Sequence, residues 1–232
     1  MTSRFHSTVF AAAALLIAGC ALFQEDKSYN PVIDPARFVK TVDNPYFPLV
    51  PGTTQRYINT SDEGKRENVV TVTASTKVIL GVTCTVVHDV LSEGSKLLED
   101  TWDWYAQDSD GSVWYFGEDT KEYEHGRVST EGSWEAGVNG AKPGIVMPAK
   151  PKVGEIFRQE YLVGTAEDQA QILALGEEVS TPAGKFSNCV KTQDWTRLEP
   201  GVMEHKYFAP GVGVVLEVMV EGGVERQELI GK

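Results

Sequence analysis

Thirty-three carboxylates, the three histidines that follow Cys20 (His88, His125 and His205) and five tryptophans are the side chains that could do chemistry. None of them falls into a nucleophile or cofactor pattern. There is no G-x-S-x-G, S-x-x-K, H-E-x-x-H, C-x-x-C, P-loop or complete dinucleotide fingerprint. Gly211-Val212-Gly213 lacks a third glycine and precedes a strand pattern, so it is a turn. Two carboxylates could serve a glycosidase, yet sequence spacing does not set their separation. The expectation is a non-enzyme with no cofactor.

Two arrangements invite a metal. Asp108-Ser109-Asp110-Gly111 resembles part of a calcium loop, but Ala106 stands where the first oxygen ligand belongs, and a hairpin turn fits better. Glu124-His125 and Glu204-His205 could pair in space, but lack ligand spacing. No metal site is expected.

The aromatics remain. Trp102 and Trp104 share a strand face with Leu98 and Asp100, and Trp114 and Phe116 share a face on the following strand. With Trp134 they are either core filling or the wall of a pocket for an apolar or amphipathic molecule. The acids Glu99 and Asp103 suit solvent, which would turn the tryptophans inward. The loop from Ser133 to Pro151, rich in Gly and Pro, would then close over the opening.

Composition narrows the partners. The formal charge is −12 over 232 residues. Residues 1–19 contribute Arg4 and no acid, so the chain from Cys20 sets 20 basic residues against 33 acids, or −13. Such a surface repels phosphate backbones, which excludes nucleic acid as the natural partner. A basic protein or a cell-wall component meeting the acidic exterior is the alternative to a bound small molecule.

The N-terminus gives an address. Arg4 is followed by the apolar run Val9–Ala18, too short to span ~30 Å of hydrocarbon as a helix. Ile17-Ala18-Gly19-Cys20 resembles the bacterial lipobox, which implies cleavage before Cys20 and acylation of its thiol and amine. Each buried methylene contributes ~0.8 kcal/mol, so two acyl chains anchor stably. Ala21 resembles the outer-membrane-sorted class, which implies a cell-envelope protein facing the periplasm where two membranes exist. Cys84 and Cys189 are then the only other cysteines.

The elements that must hold these residues are strands. Asp34-Pro35 opens one helical turn through Val39, and three prolines in Asn44–Thr53 force an extended entry. Val70, Val72 and Ala74 alternate with threonines, and Val82, Cys84, Val86, His88 and Val90 share one face. The organisation then repeats. Gly52 is echoed by Gly154 at an offset of 102, Gly81 by Gly184 and Trp104-Tyr105-Ala106 by Tyr207-Phe208-Ala209 at 103, and Gly111/Val113 by Gly213/Val215 at 102. Thr165–Gly176 has the local pattern of a capped helix, but the repeat sets it opposite the strand at 68–74 and predicts a strand. The repeat also sets Cys84 opposite Ser187, which favours two buried free thiols over a bridge.

The expected fold is therefore mainly β, an internally duplicated antiparallel meander forming a closed or half-open barrel. The divisions are an export signal at 1–19, a lipid-anchor tether at 20–43 and one β domain at 44–232. Within it, repeat one spans about 51–117, a looser segment about 118–152 and repeat two about 153–217. Asn44–Thr53, Asp103–Glu118 and Glu204–Glu217 together resemble a family of bacterial lipoproteins without an assigned activity. By analogy of fold, the resemblance implies an antiparallel barrel similar to those of envelope lipid carriers.

Overall fold

The computed structural model describes residues 29–124 and 126–232. The cleavage site, Cys20, the first part of the tether and His125 lie outside them.

Two meanders of long antiparallel strands make the wall. The first is β2 (Thr54–Ser61), β3 (Gly64–Ile79), β4 (Val82–Glu93), β5 (Lys96–Asp108) and β6 (Val113–Glu124). The second is β12 (Gln169–Thr181), β13 (Gly184–Trp195), β14 (Met203–Ala209), β15 (Gly213–Glu221) and β16 (Glu225–Gly231). Short strands complete it: β1 (Phe38–Val39), β7 (Arg127–Ser129), β8 (Trp134–Glu135), β9 (Lys142–Met147), β10 (Ile156–Arg158) and β11 (Glu160–Tyr161). The order runs β10-β12-β13-β14-β15-β16-β2-β3-β4-β5-β6-β9-β11, an antiparallel barrel with one unsealed seam. At that seam the ends meet around residues 158–160. Gly144 lies so close there that a Cβ would come within 2.4 Å of the Gln159 carbonyl carbon.

The duplication is visible in the hydrogen bonds. Gly52 N–H donates to Val72 O and Val72 N–H to Thr53 O; Gly154 N–H donates to Ile172 O and Ile172 N–H to Glu155 O. Bulges match too, falling between Trp104 and Tyr105 in one copy and between Tyr207 and Phe208 in the other. The fourth sequence anchor does not hold. Tyr115 and Gly117 pair with Tyr105 and Trp104 as Val214 and Leu216 pair with Phe208 and Tyr207, an offset of 99 rather than 102, because the second hairpin is shorter. Of the segment 165–176 that the repeat predicts as strand, residues 169–176 are strand, within β12, whereas Thr165 lies in a turn and Ala166 makes only an isolated bridge to Leu162. Ala170 and Ile172 are fully buried on alternate positions, and that burial overrides the helical preference of the segment.

Asp34 accepts a hydrogen bond from Ala36 N–H and caps a single 3-10 turn, Pro35–Arg37. Residues 29–43 pack on the barrel: β1 pairs with β5, and Tyr29 donates to Pro143 O. The proline-rich entry plugs one end of the barrel, with Phe47 against Tyr105 (5.2 Å between ring centroids) and Phe208 (6.4 Å). The Asp108 turn is a hairpin turn. Its Oδ1 accepts from the N–H groups of Asp110, Gly111 and Ser112, and its Oδ2 from Trp114 Nε1.

The strand alternation is as expected on β5, but the faces are exchanged. Thr101, Asp103 and Tyr105 are buried on the concave side, with Asp103 1% exposed. Trp102 lies on the outer side, stacked on His88 at 4.0 Å. Acids can face inward here because neighbours supply donors. Tyr115 OH donates to Asp103 Oδ1 at 2.6 Å, and Asn68 Nδ2 donates to Asp89. The segment 133–151 is not a lid either, since β8 and β9 extend the sheet at the β6 edge, with Met147 fully buried. Cys84 and Cys189 are buried free thiols, and burial pushes the Cys84 thiol up to about 12.

Candidate functional site

The expected aromatic residues do not form one pocket. Trp102 is on the outer surface, and Trp114 packs edge-on to Phe38 (6.3 Å) while its N–H serves the Asp108 turn. Phe116 is fully buried against Phe38 (5.5 Å). Trp104 and Trp134 do come together, and they line one cleft of about 350 Å³.

Gly117 makes that cleft possible. It stands opposite both Trp104 on β5 and Glu135 on β8, at φ +132°, and a Cβ there would lie 2.2 Å from Trp134 O. With no side chain at 117, β8 can lie tight against β6, and Lys77 rather than a cross-strand neighbour covers the indole of Trp104, which is 7% exposed. Lys77, near the end of β3, places Nζ 3.2 Å from the centre of the Trp104 ring. Glu135 holds that ammonium at 2.7 Å. Such a cation over an indole contributes ~0.5–2 kcal/mol, and the carboxylate fixes its position.

Trp134 meets Tyr115 edge to face at 5.2 Å, and its buried indole N–H has no acceptor among the described residues. Val138 and Leu162 add apolar surface, while Glu118, Asp119 and Ser133 add polar atoms. The lining is thus amphipathic: two indoles and two aliphatic side chains beside an ion pair and two acids. Its volume is at the small end of ligand pockets, which run from ~300 to 1,000 Å³. Sequence reasoning found the two tryptophans and missed Glu135, the neighbour of Trp134, and Lys77 and Leu162, which reach the cleft from distant segments and carry no local signal.

The barrel interior differs from the dry aromatic chamber expected. Its plugged end is apolar but nearly full, with a void of about 30 Å³ bordered by Phe47, Leu49, Val87, Tyr105 and Val214. That is room for about one water, and an acyl chain does not fit. Beyond this, the inner wall turns polar. Burial pushes Asp89, Asp103 and Glu118 above the usual carboxylate range, with neighbouring acids adding to the rise at Asp89 and Glu118, and it brings Glu99 up to about 7. On the opposite wall Lys206 is within 3.7 Å of Asp194, 3.7 Å of Glu217 and 3.9 Å of Glu204. Burial pulls the Lys206 ammonium down, but these carboxylates outweigh it and hold it above the usual range.

No family model and no curated protein matches the chain. Two solved structures are similar. One is a protein of Bacteroides fragilis described as exported, with a YmcC-like fold, at 15% identity and a TM-score of 0.49, covering 80% of this chain and 97% of that one. The other is described as a lipoprotein of Parabacteroides distasonis, at 12% identity and a TM-score of 0.47, covering 80% and 96%.

Proposed function

We propose that this is a membrane-anchored, non-enzymatic lipoprotein of the cell envelope, acylated at Cys20, that holds an amphipathic envelope molecule in the cleft between Trp104 and Trp134. The observation that carries the reading is the cleft itself: indoles for an apolar or ring face, and an ion pair with an unpartnered buried N–H for a polar head. Stacking surface beside a few fixed polar groups is the usual make-up of a small-molecule site. The Ile17-Ala18-Gly19-Cys20 pattern supports the anchor.

Titration with a fluorescent fatty acid and with a lysophospholipid below its micellar concentration tests the cleft. Trp104→Ala should weaken binding at least tenfold, and Trp102→Ala, on the outer face, should leave it unchanged. Equal effects of the two substitutions, or no binding to the wild type, would overturn the cleft assignment.

A further inference from the structure

The two repeats treat the same interior position in opposite ways. Lys206 on β14 pairs across to Glu217 on β15, one residue before the bulge. The matching pair in repeat one, again one residue before the bulge, is Asp103 on β5 with Glu118 on β6. Repeat two therefore neutralises its inner acids with a lysine, whereas repeat one sets two acids directly opposite each other. Like charges so placed are destabilising.

Among the described residues, Asp89, Asp103 and Glu118 make no ion pair. The same wall carries unmet hydrogen-bonding groups. Asp103 Oδ2 and Asn68 Oδ1 are buried without a partner, and on the adjoining strand both amide atoms of Asn59 are buried and unmet. Asp103, Asn59 and Asn68 are 1%, 2% and 6% exposed. Orphaned polar atoms at this depth lose their water without regaining a partner, so a wall that keeps several of them is built for something that satisfies them.

We infer that this wall is a second binding site, for a small organic cation whose ammonium group sits against Asp103 and Glu118 in the place that Lys206 holds in the other repeat. Asn68 and Asn59 supply hydrogen-bond partners for the rest of the molecule. A metal ion fits less well, because among the described residues no three acidic, histidine or cysteine side chains are grouped so as to hold one. The site shares Glu118 with the cleft but none of its indoles, and Asp103, Asn59 and Asn68 do not line the cleft, so Asp103→Asn is the variant that tells the two sites apart.

Calorimetric titration of the detergent-purified lipoprotein with putrescine and with ethanolamine tests the inference, with calcium as the competitor. Saturable amine binding is expected. It should weaken at least tenfold in Asp103→Asn and in Glu118→Gln, vanish in Asp103→Lys, and persist in Trp104→Ala. Amine binding unaffected by Asp103→Asn and Glu118→Gln, or absent from the wild type, would overturn the site. Displacement by equimolar calcium, itself lost in Asp103→Asn, would overturn the organic cation in favour of a metal ion. The two isosteric substitutions keep the test decisive should Asp103→Lys fail to fold.

Discussion

Replacing Lys206 with methionine removes the one cation from a buried cluster of three acids while keeping most of the side-chain volume. Lys206 is 8% exposed and has Asp194, Glu217 and Glu204 within 3.9 Å. Breaking a buried pair from one side costs ~3–5 kcal/mol, because the remaining charge is left uncompensated. For a domain of this size each kcal/mol moves the melting point by ~2–4 °C, so a fall of roughly 6–20 °C is expected at pH 8. Asp194 and Glu204 already titrate above their ordinary values, chiefly through burial. A carboxylate raised in the folded state binds more protons folded than unfolded, so stability is highest below the unfolded pKa of ~4 and falls as pH rises. Loss of the lysine raises these groups further and steepens that fall. The melting-point deficit of Lys206→Met should therefore shrink markedly between pH 8 and pH 5, and Lys206→Met/Glu217→Gln should recover part of it at pH 8. Thermal melts followed by circular dichroism measure all three. A deficit under ~2 °C, or one equal at both pH values, would refute the view of Lys206 as the counter-ion of a charged cluster.

Gly117→Ala forces a Cβ into Trp134 O at a backbone angle that L-residues avoid, and should cost roughly 2–5 kcal/mol in denaturant melts while loosening β8 from β6. A variant as stable as the wild type would show that β8 is not held tightly. Cys20→Ser should abolish palmitate labelling and release the protein from membranes; continued labelling would remove the lipid anchor.

Much of the barrel was legible because period-two alternation and repeated turn chemistry are local signals. Val70 and Val72 on β3, the Asp108 turn and the Gly52/Gly154 echo all needed only a few neighbouring residues. The echo even carried residues 169–176 to the right answer against their helical pattern, though not the turn at Thr165. What alternation could not say was which face is concave. The rule that acids seek water assigned Asp103 outward and Trp102 inward, and both were reversed. Tyr115 meets one oxygen of Asp103 across the hairpin, Asn68 meets Asp89 from β3, and Lys206 gathers acids from β13, β14 and β15. Partners of that kind are set by register and closure. The cleft was half legible for the same reason: the indoles announce themselves, whereas Lys77 and Glu135 are 58 residues apart and meet only in the folded sheet.

The pairing of β16 with β2 has a consequence for how the chain matures. Among the long strands every other ladder joins neighbours in sequence, but Arg226 pairs with Thr60, 226 − 60 = 166 residues earlier in the chain. A protein threaded outward from its N-terminus presents β2 long before β16 exists. Throughout that interval the outer edge of β2 offers unpaired N–H and C=O groups to any passing strand. Emergence of the chain from its N-terminus thus carries a waiting period in which one edge is adhesive. The segment Thr54–Ser61 is where a holdase would act, and where self-association would begin if the rest of the chain were delayed.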